Sequence, residues 1–384
     1  MLLGDLGADV IKVEPPEGDA TRGWGPPWVG AEADGTRTAA YFLSVNRNKR
    51  SLRLDLRSDA GRAVLRRLLE RGDVLVENFR PGGLERLGFD DTSLAGLNPR
   101  LVHLAISGYG RGGPEASRPG YDFVVQAEAG LMSITGEADA FGGRPLKVGV
   151  AISDVVSGLF GAVGVLAGLL TRERSTPDGA AGQRIDVSLL ESTLAVLVNQ
   201  AQNAFVTGRS PSRQGNAHPN IVPYETFRTA DGAIAIGVGS ERQWPRFCSA
   251  IGRPELAADP RFATNGARVE HREALIPLIA TRIAERSTTE WLTALEAADV
   301  PCGPIRDILA AFESPAARAL GARVPLTHPA LGAVDQVAPP FHLSETPASI
   351  RLPPPMLGEH SDAILAENGL DASSIAALHE AGIV

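Results

Sequence analysis

The sequence is poor in cysteine, in aromatic residues and in positive charge. Its 384 residues include two cysteines, Cys248 and Cys302, which are too few for a disulfide framework or a structural zinc site. The seven histidines are scattered without the spacing of metal ligands, so no metal site is predicted. The formal net charge of −8 argues against non-specific binding of nucleic acid, although a few local arginines suffice to bind a small polyanion.

The chain also has no long hydrophobic run, and no signal peptide is predicted from its first residues. The longest apolar stretch, 155–170, is shorter than the ~20 residues that span a bilayer, so we expect a buried helix there. The first five residues lack the basic and apolar regions of a signal peptide. We therefore expect a cytoplasmic protein without a membrane partner.

What is present is an alternation of short apolar strands and helices over residues 1–205. Strands are predicted at 10–14, 51–56, 73–77, 101–107, 147–152 and 184–188. Ser58 is a candidate N-cap for a helix that ends near Arg71. This repetition is typical of a doubly wound parallel sheet, so 1–205 is predicted to be a large α/β domain. No strand precedes the helix at 1–6, so the first strand of that domain is expected to be missing.

A smaller α+β domain is predicted over residues 206–305. The segments 224–229 and 233–238 flank Asp231-Gly232, a strong hairpin signal. Helices are expected at 241–251, 268–286 and 289–298. Residues 306–384, which include a closing helix from Ser361, are expected to return to the large domain.

Two polar segments follow predicted strands and are candidate ligand sites. The run SGYGRGG at 107–113 resembles a dinucleotide fingerprint, but Pro114 and Pro119 oppose the helix that an NAD site needs directly after it, which favours a surface loop. The run ENFRPG at 77–82 lies where open α/β sheets bind ligands. Its asparagine, phenylalanine and arginine suit a nucleotide, yet an ordinary polar turn explains the same residues.

Asp154 stands where a strand is predicted to end and the long apolar helix to begin. An N-cap role is one explanation, although Ser153 could cap the helix instead. Gly158, Gly161 and Gly168 share one helix face with Asp154, which predicts that a neighbouring backbone or a ligand packs very close there. Free amides and the helix dipole would keep the carboxylate ionised, and the same amides would stabilise an oxyanion.

A series of segments, in this order and spacing, resembles the class III CoA-transferases, the family of formyl-CoA transferase and of the carnitine and bile-acid CoA-transferases. The segments are LGADVIKVE (6–14), NKRS (48–51), ENFRPG (77–82), GYD (120–122), the residues around Asp154, GQRIDVS (182–188) and LGEH (357–360). The resemblance covers essentially the whole chain. It implies CoA transfer from an acyl-CoA to a small carboxylic acid, no prosthetic group, and an interlocked homodimer.

The resemblance also implies roles for individual residues. Asp154 would attack the donor thioester to form a mixed anhydride and then carry CoA as an aspartyl thioester. Tyr121 and Asp122 are expected near it. The residues expected to bind CoA are Leu54, Arg57, Asn78, Phe79, Arg80, Arg86, Leu87, Arg118 and Tyr121. No glycine-rich lid follows residue 206, so specificity for formyl or oxalate is not expected.

Two alternatives remain open from the sequence. An isomerase of the 2-methylacyl-CoA racemase type would need two bases on opposite faces of the substrate. Its histidine would occupy the position of Tyr121, and the ordinary pKa of tyrosine, about 10, makes it a poor base at neutral pH. The other alternative is a CoA-binding protein without catalytic activity.

Overall fold

The protein, described by a computed structural model over residues 1–33, 35–174 and 181–384, has a mixed α/β fold with parallel sheets. The strands are β1 (Val10–Glu14), β2 (Trp28–Val29), β3 (Thr38–Ala39), β4 (Lys49–Arg53), β5 (Val74–Glu77), β6 (Val102–Ser107), β7 (Arg184–Ser188), β8 (Tyr224–Arg228), β9 (Ala233–Gly237), β10 (Cys302–Pro304), β11 (Arg323–Val324), β12 (Thr327–His328), β13 (Gly332–Ala333) and β14 (Gln336–Val337).

Helices lie in the longer connections between these strands and at both ends of the chain. They are α1 (Leu2–Asp5), α2 (Ala40–Val45), α3 (Asp59–Arg71), α4 (Gly83–Arg86), α5 (Asp91–Leu97), α6 (Asp122–Glu128), α7 (Leu131–Ile134), α8 (Ile152–Arg174), α9 (Leu189–Ala195), α10 (Val198–Thr207), α11 (Gln243–Ala250), α12 (Glu255–Ala258), α13 (Asn265–Glu270), α14 (Arg272–Ile283), α15 (Thr288–Ala297), α16 (Ile308–Phe312), α17 (Pro315–Ala319), α18 (Ser361–Glu367) and α19 (Ala372–Glu380). Ser58 caps α3 as predicted, because its side chain accepts a hydrogen bond from the amide of Gly61.

In the predicted α/β region all the longer strands pair in parallel, and the short strands β2 and β3 pair antiparallel. β1 pairs with β4, and β6 lies between β5 and β7. The parallel pairing confirms the α/β character expected from the strand–helix alternation. Within the described residues, however, the hydrogen bonds divide these strands into a two-stranded and a three-stranded sheet instead of one continuous sheet.

The strand predicted at 147–152 is wrong. This segment is irregular, and α8 already begins at Ile152. The buried side chain of Gln126 takes the place of a neighbouring strand, since its Oε1 accepts a hydrogen bond from the amide of Val148 at 2.9 Å and its Nε2 donates to the carbonyl of Val150 at 3.5 Å. Alternating apolar residues therefore do not indicate a strand when a side chain satisfies the backbone.

The chain divides into two compact units. Unit 1 comprises Met1–Val125, Ile152–Thr193 and Phe312–Val384, and unit 2 comprises Gln126–Ala151 and Leu194–Ala311. A core of unit 1 joins Leu52 of β4 to Leu65 of α3 and Ile364 of α18. The core of unit 2 lies between the antiparallel sheet β8-β9-β10 and the helices α11–α15, and it confirms the predicted hairpin. The domain limits at residues 205 and 305 stay predictions.

Helix α8 packs on the three-stranded sheet through glycine. A Cβ atom on Gly161 would lie 2.8 Å from the Leu104 side chain of β6, and one on Gly168 would lie 3.1 Å from Val102. Close packing is therefore present at these two glycines, but the nearest neighbours are side chains of β6 and not the backbone or ligand that was predicted. At Gly158 no part of the chain packs close, because a Cβ atom there would meet nothing within 4 Å, and the ligand that the prediction also allowed stays a prediction.

The opposite face of α8 is exposed and apolar in the single chain. The exposed residues on it are Val155, Leu159, Phe160, Val163, Leu166 and Leu170, with Val163 at 64% exposure. The expected buried helix is therefore buried on one face only in the single chain. The helix is long and apolar enough to cross a membrane by length and composition alone, but its other face covers β6 and β7 as a helix on a sheet does.

Candidate active site

Asp154 lies at the carboxyl edge of the three-stranded sheet. Gly161 faces Leu104 and Gly168 faces Val102, so α8 runs antiparallel to β6. The first turn of α8, which contains Asp154, therefore lies beyond Leu104 in the direction in which β6 ends. Ligands of open α/β sheets bind at this edge.

Asp154 is not the N-cap of α8. The helix begins at Ile152, so Asp154 is its third residue. The carboxylate of Asp122, at the start of α6, accepts a hydrogen bond from the amide of Ser153 at 2.8 Å. A carboxylate from another part of the chain thus satisfies an amide of the first turn, and the N-cap interpretation of Asp154 is replaced by this contact.

Hydrogen bonds fix the backbone next to Asp154. The hydroxyl of Thr193 donates to Ser153 Oγ at 2.8 Å, and the hydroxyl of Ser157 donates to the Ser153 carbonyl at 2.7 Å. Within the described ranges, no hydrogen bond or ion pair engages the Asp154 carboxylate itself. Asp154 therefore presents an unengaged carboxylate from a fixed helix start, and part of the residue's surface remains accessible to solvent.

The surroundings of Asp154 change its acidity. Partial burial of the carboxyl group, and then the negative charge of Asp122, raise its pKa to about 6. The amides of the first helical turn favour the ionised form, but burial and like charge outweigh them. At neutral pH the carboxylate is mostly ionised, and its raised pKa makes it more basic than a solvated aspartate.

Tyr41 also belongs to this site, although the sequence did not predict it. Burial, Asp154 and Asp122 raise the pKa of Tyr41, so its hydroxyl stays protonated beside the two carboxylates. The ring of Trp24 meets the ring of Tyr41 edge-to-face with centroids 5.1 Å apart. The sequence carries no signal for this role, because the neighbouring Phe42 and Leu43 are core residues and Tyr41 resembles one.

The turn after β5 brings several predicted CoA contacts together. Asn78, Phe79 and Arg80 are exposed there, and the amide of Phe79 donates to Glu77 Oε2 at 2.7 Å. Within the described residues, the guanidinium groups of Arg80 and Arg86 have no carboxylate partner. Because β5 and β6 are neighbouring parallel strands, this turn lies at the same sheet edge as Asp154. Two unpaired cations beside an exposed ring suit a nucleotide with phosphates.

Other predicted contacts are placed differently. Arg57 lies beyond β4 and is paired with Asp55 at 2.8 Å and Glu17 at 3.3 Å. Arg118 is paired with Glu115 at 2.6 Å and stacks over Tyr109. Carboxylates already neutralise part of the charge of these two cations, which weakens their attraction for phosphate.

Tyr121 and the two predicted leucines also differ in accessibility. Tyr121 is exposed and directly precedes Asp122, as expected. Leu54 is 1% exposed in the core of unit 1, so its side chain cannot meet a ligand and only its backbone is left for such a contact. Leu87 is half-buried against the same core. Leu54 directly follows β4 and lies in the same core cluster as Leu52 of that strand, which explains its burial.

The glycine-rich run at 107–113 does not lead directly into a helix. Helix α6 begins at Asp122, well after Gly113, so no helix N-terminus opens directly from the glycines as a dinucleotide site requires. Within residues 1–33, 35–174 and 181–384, no group of three or more His, Cys, Asp or Glu side chains is arranged to hold a metal ion.

Comparison with known proteins decides the family. Residues 1–361 match the model of CoA-transferase family III. The chain belongs to this family. It is 45% identical to the succinate–glutarate CoA-transferase of Agrobacterium fabrum over 95% of this chain and 90% of that protein. It is 39% identical to the succinyl-CoA:glutarate CoA-transferase of Mus musculus, over 96% of this chain and 81% of that protein.

Among solved structures, a CaiB/BaiF family protein from Brucella suis superposes with a TM-score of 0.82. The two are 42% identical, and the match covers 96% of this chain and 93% of the other. The resemblance found in the sequence is thereby confirmed, and so is the enzyme class, a CoA-transferase.

Proposed function

We propose that this CoA-transferase works through covalent intermediates on Asp154. The Asp154 carboxylate attacks the thioester carbonyl of the donor, the carbon–sulfur bond breaks, and the electron pair leaves with the CoA thiolate. The thiolate then attacks the Asp154 carbonyl of the mixed anhydride, which releases the donor acid as carboxylate and leaves an aspartyl-CoA thioester. The acceptor carboxylate repeats these steps in reverse.

The observation that carries this proposal is the unengaged carboxylate of Asp154. Asp122 caps the start of α8, so Asp154 is free to react. Its pKa of about 6 leaves it ionised at neutral pH and more nucleophilic than an ordinary aspartate. The amides of the first turn lie close to any oxyanion that forms on its carbonyl.

Space beside Asp154 supports the same role. Gly158 lies one turn along α8 on the same face, and a Cβ atom there would meet nothing within 4 Å. We propose that the thioester occupies this open space. The exposed ring of Phe79 would then stack on the nucleobase, and Arg80 and Arg86 would bind phosphate groups of CoA.

The names of the relatives suggest which acids to test first. Two relatives are named for succinyl-CoA or succinate and for glutarate. We therefore propose short dicarboxylates as donor and acceptor acids. Because no glycine-rich lid follows residue 206, we do not expect specificity for oxalate, and oxalate serves as the comparison acid.

We also propose that the chain acts in the cytoplasm as an interlocked homodimer. The exposed apolar face of α8 in unit 1 supports association, because contiguous apolar surfaces of this kind are normally covered. In unit 2, Phe205, Ile308 and Leu309 are likewise apolar and largely exposed.

The test is a transfer assay with purified protein. Succinyl-CoA and glutarate are incubated with the wild type, and glutaryl-CoA is followed by chromatography. Asp154→Ala is expected to abolish transfer. Asp59→Ala is the matched control, because Asp59 is also an exposed acidic residue in the first turn of a helix. Equal rates for Asp154→Ala and the wild type would refute the proposed role.

The same proteins separate the alternatives. Exchange of the α-proton of a 2-methylacyl-CoA for deuterium, without CoA transfer, would favour a racemase. Normal CoA affinity without transfer or exchange would favour a binding protein without activity. Tyr121 at the position of the racemase histidine makes exchange the less expected result.

A further inference from the structure

Two glycines cross at the base of the loop that joins β6 to α6. Gly108 directly follows β6, and Gly120 lies two residues before Asp122. A Cβ atom built on Gly108 would lie 2.5 Å from the Cα atom of Gly120, and one on Gly120 would lie 2.3 Å from the Cα atom of Gly108. Backbone therefore touches backbone here, and no flexible side chain can move away to make room.

One side of this crossing is fixed to the sheet. The carbonyl of Gly108 accepts a hydrogen bond from the amide of Leu190 at 3.1 Å, just beyond β7. Between the two glycines, Arg111 binds Asp91 at 2.8 Å and Glu85 at 2.7 Å. The loop is thus held at its base and along its length by unit 1.

The other side of the crossing leads to the reacting carboxylate. Asp122 lies two residues after Gly120, and its carboxylate accepts a hydrogen bond from the backbone amide of Ser153 at 2.8 Å. Asp154 directly follows Ser153. We propose that Gly108 and Gly120 are positioning residues: their crossing holds Asp122 on the start of α8 and thereby orients Asp154 toward the thioester. This inference rests on the transfer reaction proposed above.

The size of the expected effect follows from the distances. Carbon atoms pack at about 3.5–4.0 Å, so a methyl group at Gly120 must displace one backbone by roughly 1 Å. A misplacement of about 1 Å at a reacting group costs on the order of 100-fold in rate. Displacing Asp122 also removes one of the two causes that raise the pKa of Asp154, which brings that pKa closer to its ordinary value.

The experiment compares Gly120→Ala with Gly112→Ala. Gly112 lies in the same loop, and a Cβ atom there would meet nothing within 4 Å. The rate of CoA-adduct formation from succinyl-CoA is measured by quenched flow from about pH 4.5 to 8. Gly120→Ala is expected to react about 100-fold more slowly, with unchanged affinity for CoA. Its acidic limb, the fall in rate at low pH as Asp154 becomes protonated, should lie at lower pH than in the wild type. Gly112→Ala should match the wild type in all three respects. A Gly120→Ala protein with the wild-type rate and acidic limb would overturn the inference.

A second pair of variants covers the case in which Gly120→Ala does not fold. Asp122→Asn keeps an oxygen that accepts the Ser153 amide but removes the charge, and Asp122→Ala removes both. If the hydrogen bond from Ser153 to residue 122 positions Asp154, Asp122→Asn should keep most of the rate of adduct formation, with its acidic limb shifted to lower pH. Asp122→Ala should lose most of that rate. Equal losses in both variants would contradict a positioning role.

Titration of the Asp154 carboxyl group by carbon-13 NMR tests the inference without requiring turnover. Gly120→Ala or, if that variant is unfolded, Asp122→Ala is expected to have a lower Asp154 pKa than the wild type. If the wild type forms no adduct but this shift appears, the proposed reaction fails while the positioning contact stands. An unchanged Asp154 pKa in the variant would refute the positioning role of the two glycines, even if the wild type transfers CoA.

Discussion

At the scale of single residues, the protonation of Asp154 sets when the reaction can begin. Its carboxyl group has a pKa raised to about 6 by partial burial and by Asp122, and only the ionised form can attack a thioester. We therefore predict that the rate of adduct formation rises with pH through about 6 and is level above pH 7. The measurement is the single-turnover rate against pH. A rate that does not change from pH 5 to pH 8 would contradict the assignment.

Arg80 and Arg86 allow a residue-scale test of CoA binding. Both guanidinium groups lack a carboxylate partner in the part of the chain that the structure describes, so phosphate contacts cost them no existing ion pair. We predict that Arg80→Ala and Arg86→Ala each raise KM for the acyl-CoA about tenfold, since a hydrogen bond to a charged group contributes roughly 1.5–3 kcal/mol. Little change in kcat is expected.

The matched control for these arginines is Arg67→Ala. Arg67 is an exposed arginine within α3, away from the turn that follows β5. Its loss should leave KM unchanged. A rise in KM equal to that of Arg80→Ala would show that overall charge, not the position of the cation, controls affinity.

At the scale of elements, α8 contains two glycines with opposite surroundings. Gly158 faces open space, so Gly158→Ala should stabilise the helix by about 1 kcal/mol. Gly161 faces Leu104 at 2.8 Å from the added Cβ, so Gly161→Ala should overpack the contact, with a net loss of roughly 1 kcal/mol. Urea unfolding measures both. Stabilisation by both substitutions would mean that α8 does not pack on β6 as described.

The buried carboxyl group of Glu225 in β8 should make the stability of unit 2 depend on pH. Burial raises the pKa of its carboxyl group above the ordinary 4.5, although Arg272 opposes the shift. When the pKa of a carboxyl group is higher in the folded than in the unfolded protein, the group stabilises the folded state fully at pH values below the unfolded pKa. This stabilisation is lost as the pH rises through the folded pKa. We therefore predict that Glu225→Gln raises stability at pH 7 and has no effect at pH 4.

The control for Glu225 is the exposed Glu270 of α13. Thermal unfolding of Glu225→Gln and Glu270→Gln at the two pH values makes the comparison. A larger gain at pH 4 than at pH 7 for Glu225→Gln would reverse the sign that the raised pKa requires.

Elements were predicted from the sequence where local rules act alone. Strands β1 and β7 have the predicted ends, and Ser58 caps α3 because a serine before a helix needs only its own neighbours. The segment 147–152 was mistaken for a strand because Gln126, distant in sequence, satisfies its backbone. The sequence singles out Asp154 as a candidate, and its catalytic role stays a prediction. The hydrogen bond from the Ser153 amide to the Asp122 carboxylate was not predicted, because the two residues are distant in sequence and no spacing rule reports such a contact. Tyr41 was missed for the same reason.

At the scale of the whole molecule, the proposed homodimer accounts for the exposed apolar face of α8. We predict that the double substitution Leu159→Asp and Val163→Asp converts a dimer to monomers, because buried charge without a partner opposes association. Sedimentation velocity measures the change. Leu343→Asp, at an exposed leucine elsewhere in unit 1, is the control. A wild type that sediments as a monomer would refute the dimer.

The most direct test of the covalent mechanism is intact-mass spectrometry of protein incubated with succinyl-CoA, before and after hydroxylamine. We predict an adduct on the wild type with the mass of CoA less one water, as an aspartyl-CoA thioester requires, removed by hydroxylamine with conversion of Asp154 to its hydroxamate. Asp154→Ala should carry no adduct, and Asp59→Ala should carry the wild-type amount. An adduct that persists in Asp154→Ala, or active transfer without any hydroxylamine-sensitive adduct, would contradict the account.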